Sequence, residues 1–343
     1  MDWEKVPGMA EAVRREDAST NYTAELAPKT WSIIEKFRGG NALFTAPSTP
    51  VKCPGAPQKI AYLASDHWRR SGRLDQMNTV FATGAGGIFG VPEFAKVLNG
   101  VVERYGIDAR FGRELIEIDP DAKEATFEVV SDSGKVREKL PYDLLHVTPP
   151  QRPPAFVRNS VLADPASPLG WLLVDRNTLN HPGRPEVFAL GDASSTPNSK
   201  TGAAIRKQAP VVVANLLSAM QGGGPVASYD GYGACPFTTA RGRVVMAEFD
   251  YTGTPHKTVP IVNTQAERRD MWFLKRHVLP LWYWNVMLKG RDKVPSDKAR
   301  LAISSVPLTA PNLSSLPAHP ADPAGGFAVA GVSAKSDGGL TKD

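Results

Sequence analysis

Residues 41–70 read NALFTAPSTPVKCPGAPQKIAYLASDHWRR. The first six, 41–46, are apolar or β-favouring and predict a strand. Residues 47–57 carry four prolines and Cys53 and predict a loop. Residues 58–70 predict a helix. Working outward, the alternation continues: a strand over 78–83, an amphipathic helix over 91–105 and a strand over 107–111. Residues 114–118 and 125–130 pair naturally as a hairpin across PDAK, and 143–147 form a further strand ended by Thr148, Pro149 and Pro150. Upstream, 28–40 predict a short helix with Trp31, Ile34 and Phe37 at helical spacing, stopped by a Gly pair. Strand and helix alternating across short loops is the mark of a parallel α/β sheet.

The second half is less regular. Residues 171–174 and 187–190 read as short strands, and 244–249 as another. Residues 201–220 are helical in pattern, with Pro210 expected to kink them. Residues 268–290 are strongly apolar and aromatic. The tail, 301–343, holds five Pro, five Gly and a single aromatic residue, Phe327. It cannot bury much and is expected to be disordered. No internal repeat is present.

The whole chain has 343 residues, room for about two domains at roughly 150 residues each. At 42% hydrophobic and 22% charged it is an ordinary globular composition, which excludes a collagen-like, wholly disordered or polytopic membrane chain. Only two cysteines occur, Cys53 and Cys235, 182 residues apart. A disulfide scaffold and a zinc site built on several cysteines are both excluded. The N-terminus is too acidic for a transit peptide and lacks the apolar core of a signal peptide. Net charge is +5, yet residues 268–300 alone hold nine Lys/Arg against three Asp, a net of +6. The basicity is therefore local. It sits beside Trp272, Trp282 and Trp284 in MWFLKRHVLPLWYWNVMLKG (271–290), a composition suited to a bilayer interface. Lys275, Arg276 and His277 interrupt this run and Pro280 is expected to break it, so it is no simple spanning helix. An anionic membrane surface explains the charge better than nucleic acid, for which nothing else speaks.

One glycine-rich loop invites a dinucleotide reading. TGAGGIFG (83–90) follows a strand and precedes a helix. Its glycines fall at 84, 86 and 90, and it follows the second strand of the unit, not the first. It is read as a tight loop. The first βα turn carries Cys53 instead, flanked by Lys52 and Lys59. A lone cysteine is commonly a small buried hydrophobe. Here the Pro-rich loop at the end of a parallel strand and the neighbouring cations favour a reactive thiolate.

PEVFALGD (185–192) is more specific. A short apolar strand ending in Gly191-Asp192 is the second flavin motif of flavoproteins with two dinucleotide-binding domains. Lys200 and Thr201 then open a helix whose N-terminus can stabilise an anionic ring. Alone, the motif could equally be an Asp capping a helix. Taken with TPVKCPGAPQK (49–59), LLHVTPP (144–150), VFALGDASSTPNSKTGAA (187–204), YDGYGACPF (229–237) and RVVMAEFDY (243–251), the chain resembles the mitochondrial-type sulfide:quinone oxidoreductase family. The likeness runs from Asp2 to about Gly290.

The resemblance implies an α/β, Rossmann-like FAD/NAD(P)-binding fold with amphipathic C-terminal helices. It implies that Cys53 and Cys235 are the redox pair facing the flavin. Hydrosulfide attacks the bridge between them, Cys235 carries the persulfide, and electrons pass through FAD to ubiquinone. The sulfane sulfur leaves to a small acceptor such as glutathione or sulfite. Gly191, Asp192, Lys200 and Thr201 are the expected flavin contacts. Phe273, Trp282, Tyr283 and Trp284 are expected to line the quinone and membrane end, in two short helices dipping into one leaflet of the inner mitochondrial membrane. Lys52, Lys59 and Lys200 are expected to raise the local anion concentration. The family also begins with a GxGxxG βαβ unit for the ADP half of FAD; here Met1 matches an internal family position, so the chain reads as N-terminally truncated, with that first FAD unit missing. The expected divisions are 1–40 (a linker and helix of the FAD domain), 41–147 (the second Rossmann-like domain), 148–220 (the returning FAD domain), 221–295 (the membrane and quinone region) and 296–343 (the tail). Two other readings stay open: a different FAD-dependent NAD(P)H:quinone or disulfide oxidoreductase, which Cys53 at the first turn disfavours, and a non-catalytic membrane-associated remnant.

Overall fold

The computed structural model describes residues 1–131, 134–258 and 262–291. Strands are numbered in chain order: β1 (Ala18–Ser19), β2 (Gly40–Ala46), β3 (Met77–Thr83), β4 (Asp108–Arg110), β5 (Arg113–Asp119), β6 (Glu124–Ser131), β7 (Gly134–Pro141), β8 (Leu144–His146), β9 (Asn180–His181), β10 (Arg184–Phe188), β11 (Gly233–Ala240) and β12 (Arg243–Phe249). The helices are α1 (Met9–Ala12), α2 (Ala27–Lys36), α3 (Ala56–Arg70), α4 (Pro92–Tyr105), α5 (Ala155–Arg158) and α6 (Gly202–Met220), followed by a helical run over 269–287.

The parallel sheet expected from 41–111 is present, in the order β1-β8-β2-β3-β4. Its central strands, β2, β3 and β8, are buried on both faces over most of their length, as parallel strands require. Along β2, alternate side chains go to opposite sides. Ala42, Phe44 and Ala46 enter one core with α3 and α4, while Leu43 enters another with α1 and the β5–β6–β7 sheet. On β3, Phe81 joins the first core and Val80 and Ala82 the second. Trp68 of α3 is fully buried, and its indole N–H donates to the Ile34 carbonyl at 3.0 Å, pinning α2 to α3.

The β11–β12 hairpin packs into the α3/α4 core through Cys235, Phe237, Val245, Ala247 and Phe249. This brings the chain's C-terminal third against its first βα turn. The hairpin's first strand is absent from the sequence expectations because Gly233, Cys235 and Pro236 mask its β character. The third strand of the small antiparallel sheet, β7, is equally unannounced. Its side chains are mostly exposed and charged, with no apolar alternation to read.

Two expectations are corrected. Residues 171–174 are not a strand. Leu172 makes only isolated bridges, to Ala163 and Ser194. Pro280 does not break the C-terminal helix. Two α segments, Arg269–Phe273 and Leu279–Trp282, alternate with two wider π turns, Leu274–Val278 and Tyr283–Met287, in one continuous run instead of two short helices. The wide turn just before Pro280 leaves room for a ring that would strike the preceding turn of a regular helix. Among the described residues no helix is long and apolar enough to cross a membrane. The expectation of a disordered tail over 296–343 lies outside the described residues.

Candidate sulfur site

Cys53 sits in the loop after β2 and Cys235 in β11, opposite Ala247 of β12. The fold brings these residues into hydrogen-bonding contact across 182 positions. Both are free thiols; Cys53 is partly buried and Cys235 is 1% exposed. The Cys53 backbone is left-handed, with φ +49°, a conformation that costs a side-chain-bearing residue of order 1–3 kcal/mol. Three contacts hold it there. Its N–H donates to the Lys200 carbonyl at 2.7 Å. Its carbonyl accepts from the Ala56 N–H at 2.7 Å and from the Tyr22 hydroxyl at 3.4 Å.

Gly55 explains how the sulfurs come so close. A Cβ at this position would lie 2.5 Å from the Cys235 sulfur and 2.4 Å from the Phe237 ring. Only a glycine lets α3 start against β11.

Lys59, one turn into α3, donates from Nζ to the Cys53 sulfur at 3.2 Å and also hydrogen-bonds Cys235. Its ammonium stands 5.6 Å from the Phe237 ring centroid. Burial works against its charge, but the two sulfurs outweigh burial and raise it above its ordinary value. A second cation arrives from the helical run. Lys275 Nζ donates to the Pro236 carbonyl at 3.1 Å and to the Thr238 hydroxyl at 2.5 Å. Burial, then the charge of Lys59, lower Lys275 to about 8.

The two thiols are driven apart. The hydrogen bond from Cys235 holds Cys53 well below the usual thiol value, helped by Lys59 and Lys275 and opposed by burial. The same hydrogen bond and burial push Cys235 up. At neutral pH the arrangement is a thiolate at Cys53 and a thiol at Cys235, which is the asymmetry a nucleophile–partner pair needs.

The residues expected to meet a flavin lie at the head of α6. Gly191 has φ +62°, and its N–H donates to Gln208 Oε1 at 2.8 Å. A Cβ there would press on Ile205. Asp192 is exposed, and Thr201 caps α6 by accepting from the Ala204 N–H at 3.2 Å. Lys200 is 6% exposed; Nζ donates to the Ser194 carbonyl at 2.6 Å and lies 4.4 Å from the Trp171 ring centroid. Burial lowers it to about 8 against the pull of Asp192. Of the three lysines expected to gather anions, only Lys59 bonds a sulfur. Lys200 reaches the loop through its backbone, and the Lys52 N–H donates to Gln151 Oε1 at 3.0 Å.

A cleft of about 480 Å³ opens at the carboxyl ends of β2 and β3, between the Cys53 loop, the glycine loop and the segment leading to Lys200. At the glycine loop, a Cβ on Gly84 would lie 2.0 Å from Glu114 Oε2, and the same carboxylate oxygen accepts from the Ser48 N–H at 2.8 Å. A carboxylate at that mouth repels a pyrophosphate, in keeping with the tight-loop reading.

Phe273, Trp282, Tyr283 and Trp284 are all exposed on the helical run. Phe273, Leu281, Trp284 and Leu288 recur at helical spacing and are each more than half exposed, at 59%, 65%, 64% and 56%. The sequence expectations missed Lys275, Gly55, Tyr22 and Phe237. Lys275 looked like an interruption in an apolar run. No spacing in the chain betrays a partner that arrives through a hairpin.

No family model matches the chain. It is 40% identical over 290 residues to the mitochondrial sulfide:quinone oxidoreductase of Mus musculus and 39% identical over 290 residues to that of Dictyostelium discoideum. Each match covers 84% of this chain and 63% of the relative's length. The Schizosaccharomyces pombe counterpart is 36% identical over 298 residues. The chain thus spans about 63% of the length of the mouse relative. Among solved structures, its fold is similar to the sulfide:quinone oxidoreductase of Aquifex aeolicus, with a TM-score of 0.65, 15% identity, and coverage of 88% of this chain and 70% of that one. It is also similar to a chain of the Tetrahymena thermophila mitochondrial ATP synthase assembly, with a TM-score of 0.67, 21% identity, and coverage of 85% and 70%. These likenesses establish a Rossmann-like α/β fold. Over 84% of its length, this chain is similar to the mitochondrial sulfide:quinone oxidoreductases.

Proposed function

We propose that the chain carries the sulfur-handling half of a sulfide:quinone oxidoreductase, with Cys53 and Cys235 as the redox pair, ubiquinone as electron acceptor and glutathione or sulfite as sulfur acceptor. The observation that carries this reading is the Lys59 ammonium bonded to both sulfurs beside an acidified Cys53.

The reaction begins from the oxidised pair, a sulfur bridge between Cys53 and Cys235. Hydrosulfide attacks the Cys235 sulfur. A new sulfur–sulfur bond forms there, the bridge breaks, and its electron pair leaves with Cys53. The direction follows from acidity, because the sulfur with the lower pKa is the better leaving group. Lys59 holds the emerging negative charge. A nucleophilic acceptor then removes the outer sulfur from Cys235.

The residues at the head of α6 are of the kind that fit the ring-bearing half of FAD: an exposed carboxylate at Asp192, open space at Gly202 and a buried cation at Lys200. FAD, when bound, supplies the two-electron step that re-forms the sulfur bridge and passes the electrons to ubiquinone. Lys200 would hold the ring's negative charge and Asp192 would accept a hydrogen bond from the ribityl chain. The exposed aromatic face of 269–287 supports peripheral, monotopic attachment to the inner mitochondrial membrane.

Two measurements test this. The chain is oxidised with diamide, treated with hydrosulfide and digested for mass spectrometry. One extra sulfur atom is expected on the Cys235 peptide; its appearance on Cys53 instead overturns the assignment. The purified chain is then assayed for bound FAD and for sulfide-dependent ubiquinone reduction. Cys53→Ser and Cys235→Ser should each abolish turnover, and activity surviving in either variant rules out the pair.

A further inference from the structure

A second site lies outside the sulfur centre. Where the end of α3, the β11–β12 turn and the helical run meet, a cavity of about 430 Å³ is lined by Arg70, Arg241 and Arg276, with Trp31 and Trp272 among its walls. The three guanidinium groups come from three separate elements. Among the described residues, none of them makes an ion pair. The carboxylate in this cavity, Asp66, is buried and already engaged. It accepts from Arg69 at 2.9 Å, from the Arg241 backbone N–H at 3.0 Å and from the Tyr105 hydroxyl at 3.3 Å. His67 touches Trp31 edge-on, with ring centroids 5.1 Å apart. Burial, with Arg73 and Arg70 nearby, holds it below its ordinary value, so it remains neutral at neutral pH.

Three exposed arginines that line one cavity, none of them in an ion pair and the lining carboxylate Asp66 already engaged, suit an anion. Guanidinium forks match the oxygens of a phosphate. The position says which phosphate. Arg276 and Trp272 belong to the same helix as the exposed apolar residues Phe273, Leu281 and Trp284, with Leu288 at its C-terminal cap. An anion seated here sits at the border of a face that suits acyl chains, and tryptophans favour that boundary.

We infer that Arg70, Arg241 and Arg276 form a binding site for the phosphodiester headgroup of an anionic phospholipid whose acyl chains lie along the 269–287 helix. The inference rests on the membrane-surface reading of that helix and adds the lipid class it selects.

The test uses the full chain in flotation assays with two kinds of vesicle, pure phosphatidylcholine and phosphatidylcholine with cardiolipin. The parent chain is expected to bind both, the anionic vesicles more tightly. Combined Arg70→Gln, Arg241→Gln and Arg276→Gln should erase the preference, on the order of a hundredfold, since each arginine near an anionic surface is worth roughly a fivefold factor. Binding to phosphatidylcholine should not change. Since none of the three holds an ion pair, the variant should keep the parent's thermal midpoint. A control removes three cations elsewhere, by Lys135→Gln, Arg137→Gln and Arg184→Gln. Equal loss in the control means that general charge, not a site, governs binding, and the proposal fails. Inorganic phosphate is added as a competitor; if it binds the parent but cardiolipin shows no preference, the site takes free phosphate and the proposal also fails. Charge-independent binding of the parent to both vesicles overturns the site alone. No binding to either overturns the membrane reading and the site together.

Discussion

Replacing Lys59 with methionine removes an ammonium bonded to both sulfurs while keeping the side chain's length and much of its packing. The pKa of Cys53 should then climb toward the ordinary thiol value. Its iodoacetamide alkylation at about pH 6 should slow by about twofold over the first pKa unit recovered from about 5, and by close to tenfold for each unit beyond about 7. An unchanged pH profile would show that Lys59 does not set the acidity. Gly55→Ala drives a methyl into the Cys235 sulfur and the Phe237 ring, and overpacking of this kind costs about 1–3 kcal/mol. Thermal melting should show a drop of several degrees. His146 is a third residue with a sharp consequence. It is 1% exposed, and its Nε2 accepts from the Asn21 N–H at 3.1 Å. Burial pushes it down to about 3, so the folded chain keeps it neutral where the unfolded chain takes up a proton. Its contribution is constant above about pH 6.5 and is lost as pH falls from there toward 3, by about 5 kcal/mol at most. The urea midpoint of His146→Gln should fall less with acid than that of the parent. Of these residues, Cys53 and Lys59 were legible because six positions put them on one loop and the first turn of one helix. Gly55 was not, because the atoms that demand a glycine belong to a strand far along the chain.

The elements divide in the same way. Each βα unit of the parallel sheet is written locally: a short apolar strand, a proline- or glycine-marked loop, an amphipathic helix. Those elements were readable to within a few residues. Strand β11 was not, because its β character comes from pairing with β12 and from packing on α3 instead of from its own composition. Residues 171–174 failed in the opposite way. They are apolar enough to resemble a strand, but Leu172 is the one residue among them with a bridge partner. Helix α6 offers two tests. Thr201→Ala removes its N-terminal cap and should cost about 1 kcal/mol. Pro210 lies inside the helix, where it breaks the hydrogen-bond ladder, so Pro210→Ala should raise the thermal midpoint. A fall would mean that the helix depends on the distortion proline introduces there.

At the scale of the molecule, among the described residues the exposed apolar side chains gather on 269–287, and contiguous exposure of this kind marks a contact site. Trp284→Ser should weaken vesicle flotation about tenfold, in proportion to the apolar area withdrawn from the bilayer. Composition alone located this region, since its charge and its tryptophans are concentrated together. Composition did not reveal that Lys275, in the middle of it, turns inward. That inward turn has a mechanical consequence. Lys275 grips the carbonyl of Pro236, the residue next to Cys235, and its charge helps to acidify Cys53. The hairpin is therefore a short lever between the outer surface and the sulfur pair, with one ammonium as its pin. A tilt of the helix that draws the pin back must slacken the strand beside one sulfur and raise the proton affinity of the other. The alkylation rate of Cys53 with and without vesicles is therefore expected to read that tilt, and an unchanged rate would show that the pin does not move.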